Sequence, residues 1–248
     1  MTGLQWLTAR PIAHRGLHDV TAGVIENSAG AASAAIAGNY AIETDLQLAA
    51  DDAVVVFHDE TLDRLTNERG PVGARPAAAL QQIRYTGSRD RILTLRELCD
   101  LVAGRVPLVL ELKSAFDGNT RIAHRTVEAL RSYSGPVALM SFDPDLVEAL
   151  RHLAPSLPRG IVAEGHYDHP DWHMLPAARR RNLTHFLHAP RSRPQFIAYR
   201  VGDLPATIPM IARMLFGLPL LTWTVRTAED QARAARYADQ IIFEGFRA

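Results

Sequence analysis

The sequence predicts an α/β protein: a closed (β/α)8 barrel with a β-hairpin rising from its second strand. Three observations predict it. Apolar, β-branched runs alternate with Ala/Leu-rich amphipathic segments along the 248 residues, the pattern of a sheet wrapped by helices. Nine runs read as strands, but only a few residues around Asp51-Asp52 separate the second from the third. Parallel neighbours need a crossover of about a dozen residues, so that pair must be a hairpin, and eight β-then-α units remain. An open doubly wound sheet would bring a Gly-rich phosphate turn after its first strand, and none is present. Barrels of this kind routinely reach this length as one unit, so residues 1–248 are expected to form a single domain.

Taken in order, Pro11-Ile-Ala-His14 is a short strand followed by Arg15-Gly16 and a polar loop. Asn27-Ser28 can cap an alanine-rich helix that stops near Gly38-Asn39. The second strand starts at Ala41, and Val54-Val-Val-Phe57 returns beside it. Thr94-Leu-Arg-Glu97 has the spacing of a capping box, starting a helix that ends at Gly104. Val106 to Lys113 is the next strand, then Pro136 to Phe142, after which Asp143-Pro144 supplies an N-cap with proline in the first turn. Gly160–Glu164, Phe196–Val201, Leu220–Val225 and Gln240–Glu244 complete the strands, with a helix over Thr227 to Ala238. The least regular part runs from Gly165 to Pro194, where Arg179-Arg180-Arg181 is expected to cover a helix C-terminus.

Composition narrows the partners. Lysine plus arginine equals aspartate plus glutamate at 27 each, which argues against nucleic acid as a partner. No run approaches the ~20 apolar residues a membrane span needs, so no stable membrane insertion is expected. Residues Met1–Arg10 lack the basic cap and apolar core of a signal peptide, and Cys99 is the sole cysteine. A reducing, cytoplasmic setting is the expectation. Nothing in the sequence fixes an oligomeric partner.

Chemistry is expected where polar residues interrupt the apolar strands. Glu43 and Asp45, two apart in a strand, share one face while Ile42, Thr44 and Leu46 share the other. Two adjacent carboxylates on a largely buried strand are costly unless a cation offsets them, which suggests a divalent metal; a half-exposed strand facing water is the alternative. Active sites of this fold lie at the C-terminal ends of the strands. His14 and Arg15 fall at the end of the first strand, Glu43 and Asp45 at the second, Glu111 and Lys113 at the third, and His58 at the end of the hairpin. Each alone has a structural explanation; seven at consecutive strand ends point to one site.

In order along the chain, His14-Arg-Gly16, Glu26-Asn-Ser28, Glu43-Thr-Asp45, His58-Asp-Glu-Thr-Leu-Asp-Arg64, Leu93-Thr-Leu95, Glu111-Leu-Lys113, Ser141-Phe142 and Trp223-Thr-Val225 resemble the glycerophosphodiester phosphodiesterases. The resemblance spans about residues 11 to 245, dense in the first 115 and sparse between 143 and 218. It implies a TIM barrel that hydrolyses glycerophosphodiesters, a small-molecule substrate, to glycerol 3-phosphate and an alcohol with one divalent metal ion. It further implies that Glu43, Asp45 and Glu111 are metal ligands and that His14 and His58 are the acid–base pair. Arg15 and Lys113 would contact the phosphate, with Glu26 and Trp223 on the substrate side. The sequence departs from the family's usual pattern at Ser28 for Thr, Arg226 for Asn, and Phe243-Glu244 for Thr-Asp. Either Arg226 is free to meet substrate, favouring anionic leaving groups, or it pairs with Glu244.

The residues suit that chemistry. Three carboxylates and a divalent cation sum to −1, and hard oxygen ligands favour Mg²⁺ or Ca²⁺ over zinc. Arg15 and Lys113 add the cationic surplus an anionic diester needs, and two histidines can exchange acid and base roles near neutral pH. Two alternatives stand beside this reading: a related phospholipase or lyase that stops at a cyclic phosphate, and a silent barrel that binds a phosphate ligand. A metal-dependent isomerase or aldolase would leave the two histidines without a role.

Overall fold

The computed structural model describes residues 3–248. Its strands are β1 (Ile12–Ala13), β2 (Ala41–Leu48), β3 (Val54–Val56), β4 (Leu93–Thr94), β5 (Leu108–Leu112), β6 (Val137–Ser141), β7 (Arg159–Ala163), β8 (Phe196–Arg200), β9 (Leu220–Val225) and β10 (Gln240–Phe243). Eight of them, β1, β2 and β5 to β10, pair in parallel, and β1 closes the ring by bonding both β2 and β10. This is the TIM barrel, with helices packed outside it.

The hairpin is also as expected. β2 runs past the barrel rim, so that Leu46, Gln47 and Leu48 pair antiparallel with Val56, Val55 and Val54. One further strand extends it: β4 pairs antiparallel with β3. The excursion carries its own small core, in which Val55, Phe57, Leu62, Leu80, Tyr85 and Ile92 pack together.

Period-two alternation sets the barrel interior. Ile12, Ala41, Val109, Ala138, Met140, Val162, Phe196, Ala198, Leu221 and Ile242 form the inner cluster, while Ile42, Leu108, Leu110 and Leu139 face the helices. Leu7, from the short helix Gln5–Thr8 that precedes β1, belongs to the inner cluster and packs with the first residues of several strands. That end of the barrel is plugged with apolar side chains. One more step along each inner stripe, at the opposite end, the residues are His14, Glu43 and Asp45, Glu111, Phe142, Glu164, Arg200, Trp223 and Glu244. The alternation that fills the core therefore presents a ring of polar and aromatic groups at the open mouth.

The caps read from the sequence are present. Ser28 Oγ accepts from Ala31 N to start the helix Ala29–Ala37, and Asp143 caps Pro144–Leu153. Thr94 and Glu97 form the capping box of Leu95–Val102, and Glu97 also accepts from Arg91 and Gln81. Although burial works against its charge, the bonds from Arg91, Thr94 and Gln81 win and bring the Glu97 carboxyl down to about 2 from an ordinary 4.5. A depressed carboxylate stabilises the fold above its unfolded value and loses that contribution as pH falls through its folded one. Wild type should therefore exceed Glu97→Gln in denaturant midpoint at neutral pH, with the gap closing between pH ~4.5 and ~2. A gap independent of pH would show that Glu97 acts without its charge.

Of Arg179-Arg180-Arg181, only Arg181 reaches a helix's last turn. The helix spans Ala177–Thr184, so the run sits across its middle. Arg179 reaches back to Asp143 Oδ1 and Asp145 Oδ2, both at 2.7 Å, and ties this helix to the start of the one after β6. Partner carboxylates distant in sequence, not the helix dipole, fix its position.

At the first strand's exit Arg15 has φ 55° and Gly16 φ 78°. A Cβ on Gly16 would stand 2.8 Å from the backbone carbon of Ala31, so glycine alone fits this turn. Gly16→Ala should destabilise by roughly 2 kcal/mol or more, read as a lowered melting temperature. An unchanged melting temperature would show that the turn can relax around a methyl group.

Candidate active site

Glu43, Asp45 and Glu111 converge at the mouth, with one oxygen from each lying within 4.8 Å of the others. Glu43 and Asp45 stand on the inward face of β2, and the register that sets Asp45 beside Glu111 brings in the third acid. All three are buried. Lys113 Nζ lies 2.7 Å from Asp45 Oδ1 and 2.6 Å from Glu111 Oε1. Arg15 Nε is 3.3 Å from Asp45 Oδ2, and its backbone N–H donates to Glu43 Oε2 at 3.0 Å.

The charges are unequally served. Burial opposes ionisation of Asp45, but Lys113, His58 and Arg15 outweigh it and hold the carboxyl far below its ordinary range. Burial likewise works against the Lys113 ammonium, and Asp45 and Glu111 reverse that and raise it. Glu43 is pushed the other way: burial, then the charges of Asp45 and Glu111, raise its carboxyl well above the usual value. Its Oε1 is buried without a hydrogen-bond partner. A buried acceptor left unpaired beside two other acids fits a site that takes a cation.

Both histidines at the mouth are held in one manner. His14 Nδ1 donates to Glu244 Oε2 at 2.5 Å, and His58 Nδ1 donates to Asp59 Oδ1 at 2.7 Å. A carboxylate at Nδ1 leaves Nε2 available, and His14 Nε2 lies 3.9 Å from Glu43 Oε2. Burial lowers the His14 pKa, an effect the Glu244 bond offsets only in part. Glu244 is itself held well below the carboxylate range, because the bonds from His14 and Arg226, with His18 3.6 Å away, outweigh its burial.

Behind the mouth runs a connected set of ion pairs. Arg64 binds Asp59 through Nε and Nη2 and reaches Glu26 through Nη1 and Nη2, at 2.6 to 3.0 Å. Glu26 in turn accepts from Arg15 Nη1 at 2.6 Å. This accounts for the seven-residue run from His58 to Arg64, in which the arginine fixes the carboxylate that holds the histidine. Asn27, at φ 57°, donates from Nδ2 to Asp45 Oδ2 at 2.9 Å and accepts from Thr44 through Oδ1. Two consecutive motifs thus brace the acids from behind.

The mouth opens into a cavity of about 910 Å³. His14, Arg15, Glu43, Asp45, His58, Glu111, Lys113 and Trp223 all line it; Glu26 does not, and lies behind Arg15 as its support. Arg226 is not free: its Nε donates to Glu244 Oε1 at 2.5 Å. Of the two readings of Arg226, pairing with Glu244 is the one the structure has: the same carboxylate that holds His14 also captures Arg226.

Sequence reasoning missed the far wall of the cavity, where Glu164, His169, Trp172 and Arg200 line it. Glu164 and Arg200 end inner stripes and were legible by that rule; His169 and Trp172 lie in an irregular segment with no periodic signal.

A TIM barrel whose C-terminal mouth gathers three acids, two carboxylate-held histidines and two cations is a hydrolase of phosphate esters by class. The chain matches the glycerophosphoryl diester phosphodiesterase family over residues 14–243, and it belongs to that family. It is 29% identical over 234 residues to a glycerophosphodiester phosphodiesterase of Caldanaerobacter subterraneus subsp. tengcongensis, covering 90% of this chain and 88% of the relative. Among solved structures it is similar to an Oleispira antarctica phosphodiesterase in complex with the product sn-glycerol-3-phosphate (TM-score 0.75, 20% identity, 96% and 94% of the two chains). It is similar also to the glycerophosphodiester phosphodiesterase of Thermotoga maritima (TM-score 0.70, 21% identity, 94% and 92%). Among the described residues no helix is long and apolar enough to cross a membrane.

Proposed function

We propose that the protein hydrolyses glycerophosphodiesters to sn-glycerol 3-phosphate and a free alcohol, with His14 and His58 as the acid–base pair. The observation that carries this is the convergence of Glu43, Asp45 and Glu111 in one cavity with two histidines that each donate Nδ1–H to a carboxylate. The family match and the glycerol phosphate held by the Oleispira antarctica relative support it.

Glu43, Asp45 and Glu111 would hold one divalent cation, and their all-oxygen donor set suits Mg²⁺ or Ca²⁺. When bound, the cation supplies Lewis-acid stabilisation of charge on the phosphoryl oxygens. Arg15 and Lys113, each already flanked by acids, direct the remaining positive charge at the anionic diester. One histidine Nε2 takes the proton from the attacking 2-hydroxyl of glycerol. The other gives a proton to the departing alcohol oxygen. In the second step the roles reverse as water opens the cyclic phosphate.

Phosphorus NMR of the products tests this reading. Glycerol 3-phosphate and stoichiometric alcohol are expected from glycerophosphocholine; a cyclic phosphate that persists would identify the lyase alternative, and no turnover of any diester would leave a binding barrel.

Glu244 positions His14. Glu244→Gln keeps an acceptor at Nδ1 but removes the charge, and should lower kcat about 10–100-fold with little change in KM. A rise in KM alone would place Glu244 at the substrate instead.

A further inference from the structure

The half of the cavity away from the three acids has a composition of its own. Trp172 lies within ring–ring distance of Phe142 (5.1 Å), Tyr167 (5.0 Å) and Phe116 (5.7 Å), and Phe142 lies 5.5 Å from Trp223. Trp172, Phe142 and Trp223 are all partly exposed and all line the cavity, so an aromatic wall runs from the catalytic mouth outward. Both cations that line this side have carboxylate partners: Arg200 lies 3.4 Å from Glu164, and Arg226 bonds Glu244. Of the further acids on the lining, Asp230 accepts from the backbone N–H groups of Arg226 and Thr227, and Asp171 has His169 Nδ1 at 3.6 Å.

Glu164 itself is occupied. It is buried, its Oε1 accepts from both Trp172 Nε1 and His169 Nε2, and its Oε2 faces Arg200. A primary ammonium needs acceptors for three N–H groups, and this carboxylate has little capacity left for them. Asp171 is 85% exposed, so its pull on a cation is screened by water. A quaternary ammonium asks for no acceptor. It is served by aromatic surface, which Trp172, Phe142 and Trp223 offer on the cavity lining.

We infer that this wall, built on Trp172 with Phe142 and Trp223, is the subsite for the alcohol half of the diester and selects a quaternary-ammonium alcohol such as choline. The inference rests on the proposed function. It takes the Arg226–Glu244 pair as the reason anionic alcohols gain nothing here. The residues between β7 and the helix Ala177–Thr184 then have a purpose: they carry Trp172 to the mouth, pack buried Tyr167 beside it and hold the indole by its N–H bond to Glu164.

The test compares kcat/KM for glycerophosphocholine, glycerophosphoethanolamine and glycerophosphoglycerol, with Mg²⁺ supplied, in wild type, Trp172→Leu and Trp172→Phe. Wild type should favour the choline diester about tenfold over both others, the magnitude of an aromatic contact with a desolvated cation. Trp172→Leu should bring those ratios close to one, and Trp172→Phe should keep part of the preference. Tetramethylammonium chloride should compete with glycerophosphocholine in wild type more strongly than ammonium chloride at equal concentration. Wild-type ratios near one, or ratios unmoved by Trp172→Leu, would overturn the inference while leaving the hydrolase reading intact. If Trp172→Leu does not fold, the wild-type ratios and the tetramethylammonium competition decide alone. Failure to turn over any of the three diesters would instead remove the function on which the inference rests.

Discussion

His14→Ala and His58→Ala should each lower kcat by about 10²–10⁴-fold, or roughly 3–5 kcal/mol of barrier, while the protein remains folded. The two residues stand on different elements and share no partner: His14 is held by Glu244 on the last strand's exit, His58 by Asp59 next to it in sequence. Each donates Nδ1–H to a carboxylate and keeps Nε2 for the mouth, so neither can stand in for the other. The double variant should be little worse than the more damaging single one, since a proton that cannot leave makes its delivery elsewhere irrelevant. Circular dichroism and a melting curve establish folding, and steady-state turnover of glycerophosphocholine establishes the loss. Near-wild-type kcat in either single variant would make that histidine structural.

Glu43→Gln should separate stability from activity. In the protein without added metal, Glu43 is the acid least served by its surroundings: Oε1 has no partner, and Asp45 and Glu111 repel its charge. Glutamine keeps an oxygen for the Arg15 N–H and removes the repulsion, so stability should change by no more than about 1 kcal/mol, in either direction. Turnover should fall by at least about 10²-fold, the several kcal/mol a cation contributes to transition-state charge. The rise in melting temperature that Mg²⁺ gives wild type should shrink or vanish in the variant, because a ligand stabilises only in proportion to its affinity. Strong destabilisation with activity retained would make Glu43 a structural acid.

Much of this was legible in the chain. Connection lengths alone identified the hairpin at Asp51-Asp52 and left eight parallel units, and the ring closes as that count requires. The alternation of Ala41, Glu43 and Asp45 placed two acids on one face, where the structure has them. Other features needed three dimensions. β4 is two residues long, too short to carry a period, and was hidden inside the capping-box signal of Thr94. Glu244 meets His14 across 230 residues of sequence, a contact that only ring closure creates. Arg179 found Asp143 and Asp145, which no rule about helix ends could supply. Trp172 lies in a segment without repeats or periodicity, where side-chain placement follows from packing alone.

The account turns on the acids at the mouth serving a divalent cation. The direct measurement is glycerol 3-phosphate release from glycerophosphocholine by protein stripped with a chelator and dialysed, before and after Mg²⁺ or Ca²⁺ is returned. Negligible release by the stripped protein and recovery on adding either ion is the expected result; full turnover by a rigorously metal-free sample would contradict it.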